Sequence, residues 1–161
     1  GPQTEPIAQV AQIAARHPRG PRVVVDDGTW TDVQMMGLLE RAQCVFSLTS
    51  SEGWGLGAFD AAGVGTPVVM TGYGGQVDWL GADHPGLVPF RLVDNDHPDP
   101  TMFEPGMQWA EPDRDAAIDL LRGVVDATTP AAVAHAATLQ TELHERYSPS
   151  AVASRSSATS P

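Results

Sequence analysis

The sequence contains no lysine: nine arginines stand against twenty acidic residues, a net charge of −11. Such a chain lacks the basic footprint that nucleic acids and anionic membrane surfaces require. Any phosphate it binds has to be held mainly by backbone dipoles. There is one cysteine, Cys44, which excludes a disulfide within the chain and fits a reducing, cytoplasmic compartment. It lies in an apolar run and reads as a small buried hydrophobe rather than a nucleophile. No apolar run approaches the ~20 residues of a membrane span, and no signal peptide is visible. His84, His97, His135 and His144 have no ligand spacing, so no metal is expected. Asp26 and Asp27 read as the exposed end of a strand. The 161 residues are enough for one domain with a sizeable core.

What the chain does have is a glycine-rich turn between two apolar runs. Cys44-Val45-Phe46-Ser47-Leu48 reads as a buried strand, and Ser50-Ser51-Glu52-Gly53-Trp54-Gly55-Leu56-Gly57 follows it. A short apolar helix then ends near Val64, with Gly65 at its C-cap and Pro67 blocking continuation. Val68-Val69-Met70 is a second buried strand. Strand, turn, helix, strand is a βαβ unit, which places the turn at the carboxyl edge of a parallel sheet, where open α/β sheets bind ligands. Gly53, Gly55 and Gly57 let a ligand approach the backbone, and the free N–H groups of the helix start attract an anion such as phosphate. Glu52 lies in the turn. Asp60 lies one helical turn in, on the face of Leu56, and leans back toward the anion site. Carboxylates suit hydroxyls, so the implied ligand carries both phosphate and sugar hydroxyls.

Ser51-Glu52-Gly53-Trp54-Gly55-Leu56, Asp60 eight positions after Glu52, Gly65-Thr66-Pro67-Val68-Val69 and Thr71-Gly72-Tyr73-Gly74-Gly75 together resemble the retaining glycosyltransferases of family four. The resemblance covers about residues 23–151. It implies a GT-B enzyme, of which this chain is the carboxyl-terminal donor-binding half. The fold implied is α/β, a Rossmann-like open parallel sheet with helices on both faces. The ligand implied is a nucleoside diphosphate sugar, and the reaction a hexosyltransferase-like transfer to an unknown acceptor, with no cofactor. The resemblance further implies that Glu52 is the catalytic acidic residue, meeting the donor sugar hydroxyls, and that Asp60 holds the ribose. The backbone of Gly53, Trp54, Gly55 and Leu56 meets the diphosphate, and Gly74 and Gly75 lie on the pocket floor. The family usually has Glu where Asp60 stands, which shortens that reach by roughly 1.5 Å. The family's Arg and Lys that neutralise the leaving group have no counterpart here, and there is room for only one of the two GT-B domains. The chain alone is therefore expected to be inactive and to need an N-terminal acceptor domain. Two readings stand beside this one. The first is a non-catalytic sugar-nucleotide-binding module or remnant. The second is a nicotinamide dehydrogenase, disfavoured because Ala58 replaces the last glycine of the dinucleotide pattern and no acidic residue closes the Val68 strand.

Along the chain, a helix is expected over Ile7 to Ala15, with Ile7, Val10, Ala11 and Ala14 on its apolar face. Val23-Val24-Val25 reads as a strand. Thr31 and Gln34 can form a capping box for a helix to about Arg41 with Met35, Met36, Leu38 and Leu39 facing the core. A short helix is expected through Leu80, and a strand over Gly86 to Pro89 that continues to Val93. A proline-rich loop should cover Asp94 to Gly106, and Trp109 reads as a packing residue. Asp113 is the N-cap of a helix to about Ala127 whose core residues are Ala117, Leu120, Leu121, Val124 and Val125. Pro130 opens another helix, to about Tyr147. A single domain over residues 1–153 and a disordered tail over 154–161 complete the expectation.

Overall fold

The structure is a computed structural model that describes residues 4–95, 104, 106–126 and 130–158. It divides into two units, Gly1–Thr31 and Asp32–Pro161. The first holds helix α1 (Thr4–Arg16) and a turn in which the Gly20 N–H donates to the His17 carbonyl at 2.7 Å. Val23-Val24-Val25 does not form the expected strand, and Val24 is 70% exposed. An apolar run becomes a strand only where a partner takes up its N–H and C=O groups, and the described residues of this unit form no strand that could serve as one.

The second unit is built on a parallel sheet in the order β1 (Val45–Ser47), β2 (Val68–Thr71), β3 (Leu87–Val88). Val45 pairs with Val68 and Ser47 with Met70; Met70 pairs with Leu87 and Thr71 with Val88. All four residues of the central strand β2 are buried, as its unbroken apolar run implies. Its side chains alternate between two cores. Val68 and Met70 join Leu39 of α2 (Asp32–Arg41), Ala58, Ala61 and Ala62 of α3 (Leu56–Gly63) and Trp79 of α4 (Gln76–Leu80), together with Leu139 and Leu143 of α6 (Pro130–Tyr147). Val69 faces the other way, onto Val88 and Ala117, with Leu120 and Val124 of α5 (Arg114–Asp126) beside them. Helices therefore cover both faces of the sheet. Each fully buried large side chain contributes ~1.5–3 kcal/mol. The face of α2 is narrower than expected: Met35 and Leu38 are exposed.

Where a third strand is expected to run on to Val93, Pro89 interrupts it. Proline has no N–H for the ladder, and its carbonyl instead accepts the Asp113 N–H at 2.8 Å. The chain leaves the parallel sheet and starts β4 (Phe90–Asp94), which pairs antiparallel with β5 (Gln108–Pro112). Most of the expected loop between them, including His97, lies outside the described residues. Asp113 caps α5 as expected, its Oδ1 accepting the N–H groups of Asp115 and Ala116, both at 3.0 Å. Val125 is exposed and Leu121 half-buried, and the α5 residues packed with Val69 and Val88 are Ala117, Leu120 and Val124. Ser148 ends α6, but a further helix α7 (Pro149–Ala158) extends into the stretch expected to be disordered from Ser154.

Candidate functional site

The carboxyl ends of β1 and β2 feed two glycine-bearing turns, and the turns lie directly against each other. The Gly75 N–H donates to the Glu52 carbonyl at 3.1 Å. A Cβ on Gly75 would overlap the Gly53 carbonyl oxygen, so glycine is what permits this approach. The Trp79 indole N–H donates to the Trp54 carbonyl at 2.8 Å. Glu52, Gly53, Trp54, Gly55, Gly74 and Gly75 are thereby brought into one place, which is the grouping the sequence leads one to expect.

Helix α3 starts inside this grouping. Gly55 takes the left-handed conformation (φ 74°), and its carbonyl accepts the N–H groups of Ala58 and Phe59, both at 2.9 Å. Leu56 and Gly57 come first in the helix, so their N–H groups have no intrahelical acceptor. No carboxylate occupies the first turn of α3 to neutralise its positive end. Leu56 is 69% exposed, and among the described residues, chain neighbours and the helix's own backbone aside, no atom lies within 4 Å of where a Cβ on Gly53 or Gly57 would sit. The helix start is bare. Glu52 is half-buried, and its Oε1 accepts the Gly53 N–H at 3.0 Å. The Trp54 ring is turned away from this opening, packing on Phe59 and edge-on to Tyr147, each with centroids 5.6 Å apart. Trp54 thus offers its backbone, not its ring.

Asp60 is exposed and lines a cavity of about 620 Å³ between α2, α3 and α6, together with Glu40, Phe59, Gln140, His144 and Tyr147. Asp60 lines this cavity and Glu52, in the turn before α3, does not. Gln140 also closes the far end of α3, its Nε2 donating to the Gly63 carbonyl at 3.1 Å. Sequence reasoning missed the contribution of α6, because nothing local to residues 130–147 signals which helix it meets. It missed Gln76 and Trp79 for the same reason.

A second, smaller cavity of about 260 Å³ lies at the amino edge of the sheet, lined by Thr66, Val68, Gly86, Leu139 and the pair His84 and His135. The two imidazoles are 4.9 Å apart. Burial, and then the neighbouring His135, lower the His84 pKa to about 4. Burial raises the Cys44 thiol pKa, opposed by a hydrogen bond to the Val69 backbone. Among the described residues no three His, Cys, Asp or Glu side chains group as a metal site would require, and no helix is long and apolar enough to cross a membrane.

Comparison with curated proteins and with solved structures found no match. The family model for GT4-conflict, described as family 4 glycosyltransferase in conflict systems, matches residues 2–155, and the chain belongs to that family.

Proposed function

We propose that this chain binds the donor of a retaining sugar transfer, a nucleoside diphosphate sugar, as the donor half of a GT-B enzyme. The observation that carries the reading is the bare start of α3, with Glu52 on one side and Asp60 on the other. The diphosphate lies over the N–H groups of Leu56 and Gly57, where the helix supplies about half a positive charge. That charge stabilises the leaving group as the bond between the anomeric carbon and the phosphate oxygen breaks. From Leu56 to Asp60 the helix rises ~6 Å, about the span of a diphosphate. Asp60 accepts a ribose hydroxyl at the mouth of the 620 Å³ cavity, which is within the usual size of small-molecule sites. Glu52 accepts hydroxyls of the sugar. Gly53, Trp54 and Gly55 present backbone, and Gly74 and Gly75 back the turn.

Calorimetry with a panel of nucleoside diphosphates and their sugar conjugates tests this. Asp60→Ala should weaken both ligand classes, because the ribose is common to both, by ~1.5–3 kcal/mol for a hydrogen bond to a charged group. Glu52→Gln should spare the bare diphosphate and weaken the sugar-bearing form. Equal weakening of both ligands by both variants would overturn the division of roles, and a wild-type chain that binds none of the panel would overturn the reading itself.

A further inference from the structure

Gln76 is fully buried, which is unusual for an uncharged polar side chain of its length. Its Nε2 spends both hydrogens on main-chain carbonyls of the second turn, Thr71 at 2.8 Å and Tyr73 at 2.6 Å. This side chain thus draws the end of β2 and the following turn together. Its Cβ also lies 3.8 Å from where a Cβ on Gly55 would be, so it sits behind the first turn as well. Its Oε1 has no hydrogen-bond partner among the described residues. Burying an unpartnered amide oxygen is costly, and an apolar side chain would avoid that cost. The two donated bonds are what the residue contributes in return.

Those bonds lead to Glu52. The turn that Gln76 holds closed ends in Gly75, whose N–H is bonded to the Glu52 carbonyl. A turn allowed to relax would release that carbonyl and with it the Glu52 side chain. We propose that Gln76 is a positioning residue for Glu52. It fixes the carboxylate where the sugar of the donor arrives, without touching the donor itself. This rests on the donor-binding reading above. Its consequence is selective: the sugar depends on Gln76, while the nucleoside and diphosphate, held by Asp60 and the α3 start, do not.

The test compares Gln76→Leu and Gln76→Met, which keep bulk and remove both donors, with Thr71→Val. The last removes a buried hydroxyl that has no partner among the described residues and spares the Thr71 carbonyl. Calorimetry is run with one nucleoside diphosphate and its sugar conjugate. Either Gln76 variant should lower affinity for the sugar conjugate about tenfold, the equivalent of one hydrogen bond, and leave the bare diphosphate nearly unchanged. Adding Glu52→Gln to Gln76→Leu should cause no further loss, since both act through one carboxylate. Thr71→Val should leave both affinities as they are. Amide hydrogen exchange reads the same step without any donor: the Gly75 amide should lose protection in the Gln76 variants while the Met70 amide, bonded to the Gly86 carbonyl at 3.0 Å, keeps it. Retained Gly75 protection, additive losses, or equal weakening of both ligands would each overturn the proposal. If the wild-type chain binds no donor, the functional reading fails, and the exchange measurement still decides the role of Gln76.

Discussion

The Trp79 indole is bonded to the Trp54 carbonyl from 25 residues away, so the short helix after the second turn holds the first turn in place. Phe59 meets Trp79 edge-on at 5.4 Å and Tyr147 at 5.3 Å, so the end of α6 joins the same cluster. Trp79→Phe removes the donor and, because a phenyl ring is smaller than an indole, also leaves part of this buried site unfilled. It should cost at least the ~1–3 kcal/mol penalty for leaving the part-buried Trp54 carbonyl unpartnered, with the lost packing added to it. Urea unfolding of the variant checks this, and an unchanged midpoint and slope would show that the bond contributes nothing.

Gly75→Ala separates contact from conformation. Gly75 has φ −64° and ψ −18°, a backbone that alanine adopts freely. Only the Gly53 carbonyl stands in the way of a Cβ. The methyl group should force the two turns apart and destabilise the chain by ~1–3 kcal/mol, the usual cost of overpacking. Exchange of the amide at position 75 should rise in the same variant. A variant as stable as wild type, with the amide at position 75 still protected, would mean the turns do not meet as described.

Gly57→Ala should do the opposite to stability. Gly57 is helical, and a Cβ there meets nothing within 4 Å. Alanine in a helix is favoured over glycine by up to ~1 kcal/mol, so the free protein should become more stable. If the diphosphate rests on the helix start, the added methyl should at the same time weaken nucleoside diphosphate binding. Higher urea resistance with unchanged binding would place the ligand elsewhere.

The βαβ unit was legible because its signals are local. The apolar runs at Val45 and Val68, the Gly65-Thr66-Pro67 stop and the Asp113 cap each act within a few residues, and β1, β2, α3 and α5 formed where those signals lie. Elements that depend on a distant partner were not legible. The strand expected to run on to Val93 does form as β4, but its break from β3 at Pro89 and its pairing with β5 across a proline-bearing segment have no local signal, and the exposed, exposed, exposed, half-buried, exposed pattern of β4 has no regular alternation to announce them. Val23-Val24-Val25 has the composition of a strand and no partner strand among the described residues of its unit. In the candidate site, the residue types at Glu52, Gly53 and Gly55 could be read directly. The contact of the two turns, and the placement of Asp60 on a wall shared with α6, arise only from packing.

Asp113→Ala tests the cap of α5. Two N–H groups lose their acceptor, and the loss should be ~1 kcal/mol, within the ~0.5–2 kcal/mol measured for N-cap replacements. Asp113→Asn should recover most of it, because the amide oxygen can accept the same bonds. A urea midpoint equally low for both variants would assign the effect to charge rather than to capping.

The His84 and His135 pair gives the chain a specific acid response. His84 Nδ1 accepts the Gly86 N–H at 3.0 Å, which requires that nitrogen to be unprotonated. Burial and the facing His135 lower the pKa from the ordinary 6.5 to about 4 in the folded chain. Between these two values the unfolded chain binds more protons than the folded one, so stability rises with pH across that window. The contribution is complete above pH ~6.5, falls as the pH drops toward ~4, and is constant below both values. His84→Asn offers a side-chain oxygen to the Gly86 N–H and does not titrate. Urea midpoints measured from pH 7 down to pH 4.5 should therefore fall more steeply for wild type than for His84→Asn, the carboxylates common to both cancelling in the difference. His135→Gln should reduce the wild-type slope by a smaller amount, since it removes the lesser of the two causes. Parallel curves for wild type and His84→Asn would mean that the His84 site does not resist protonation.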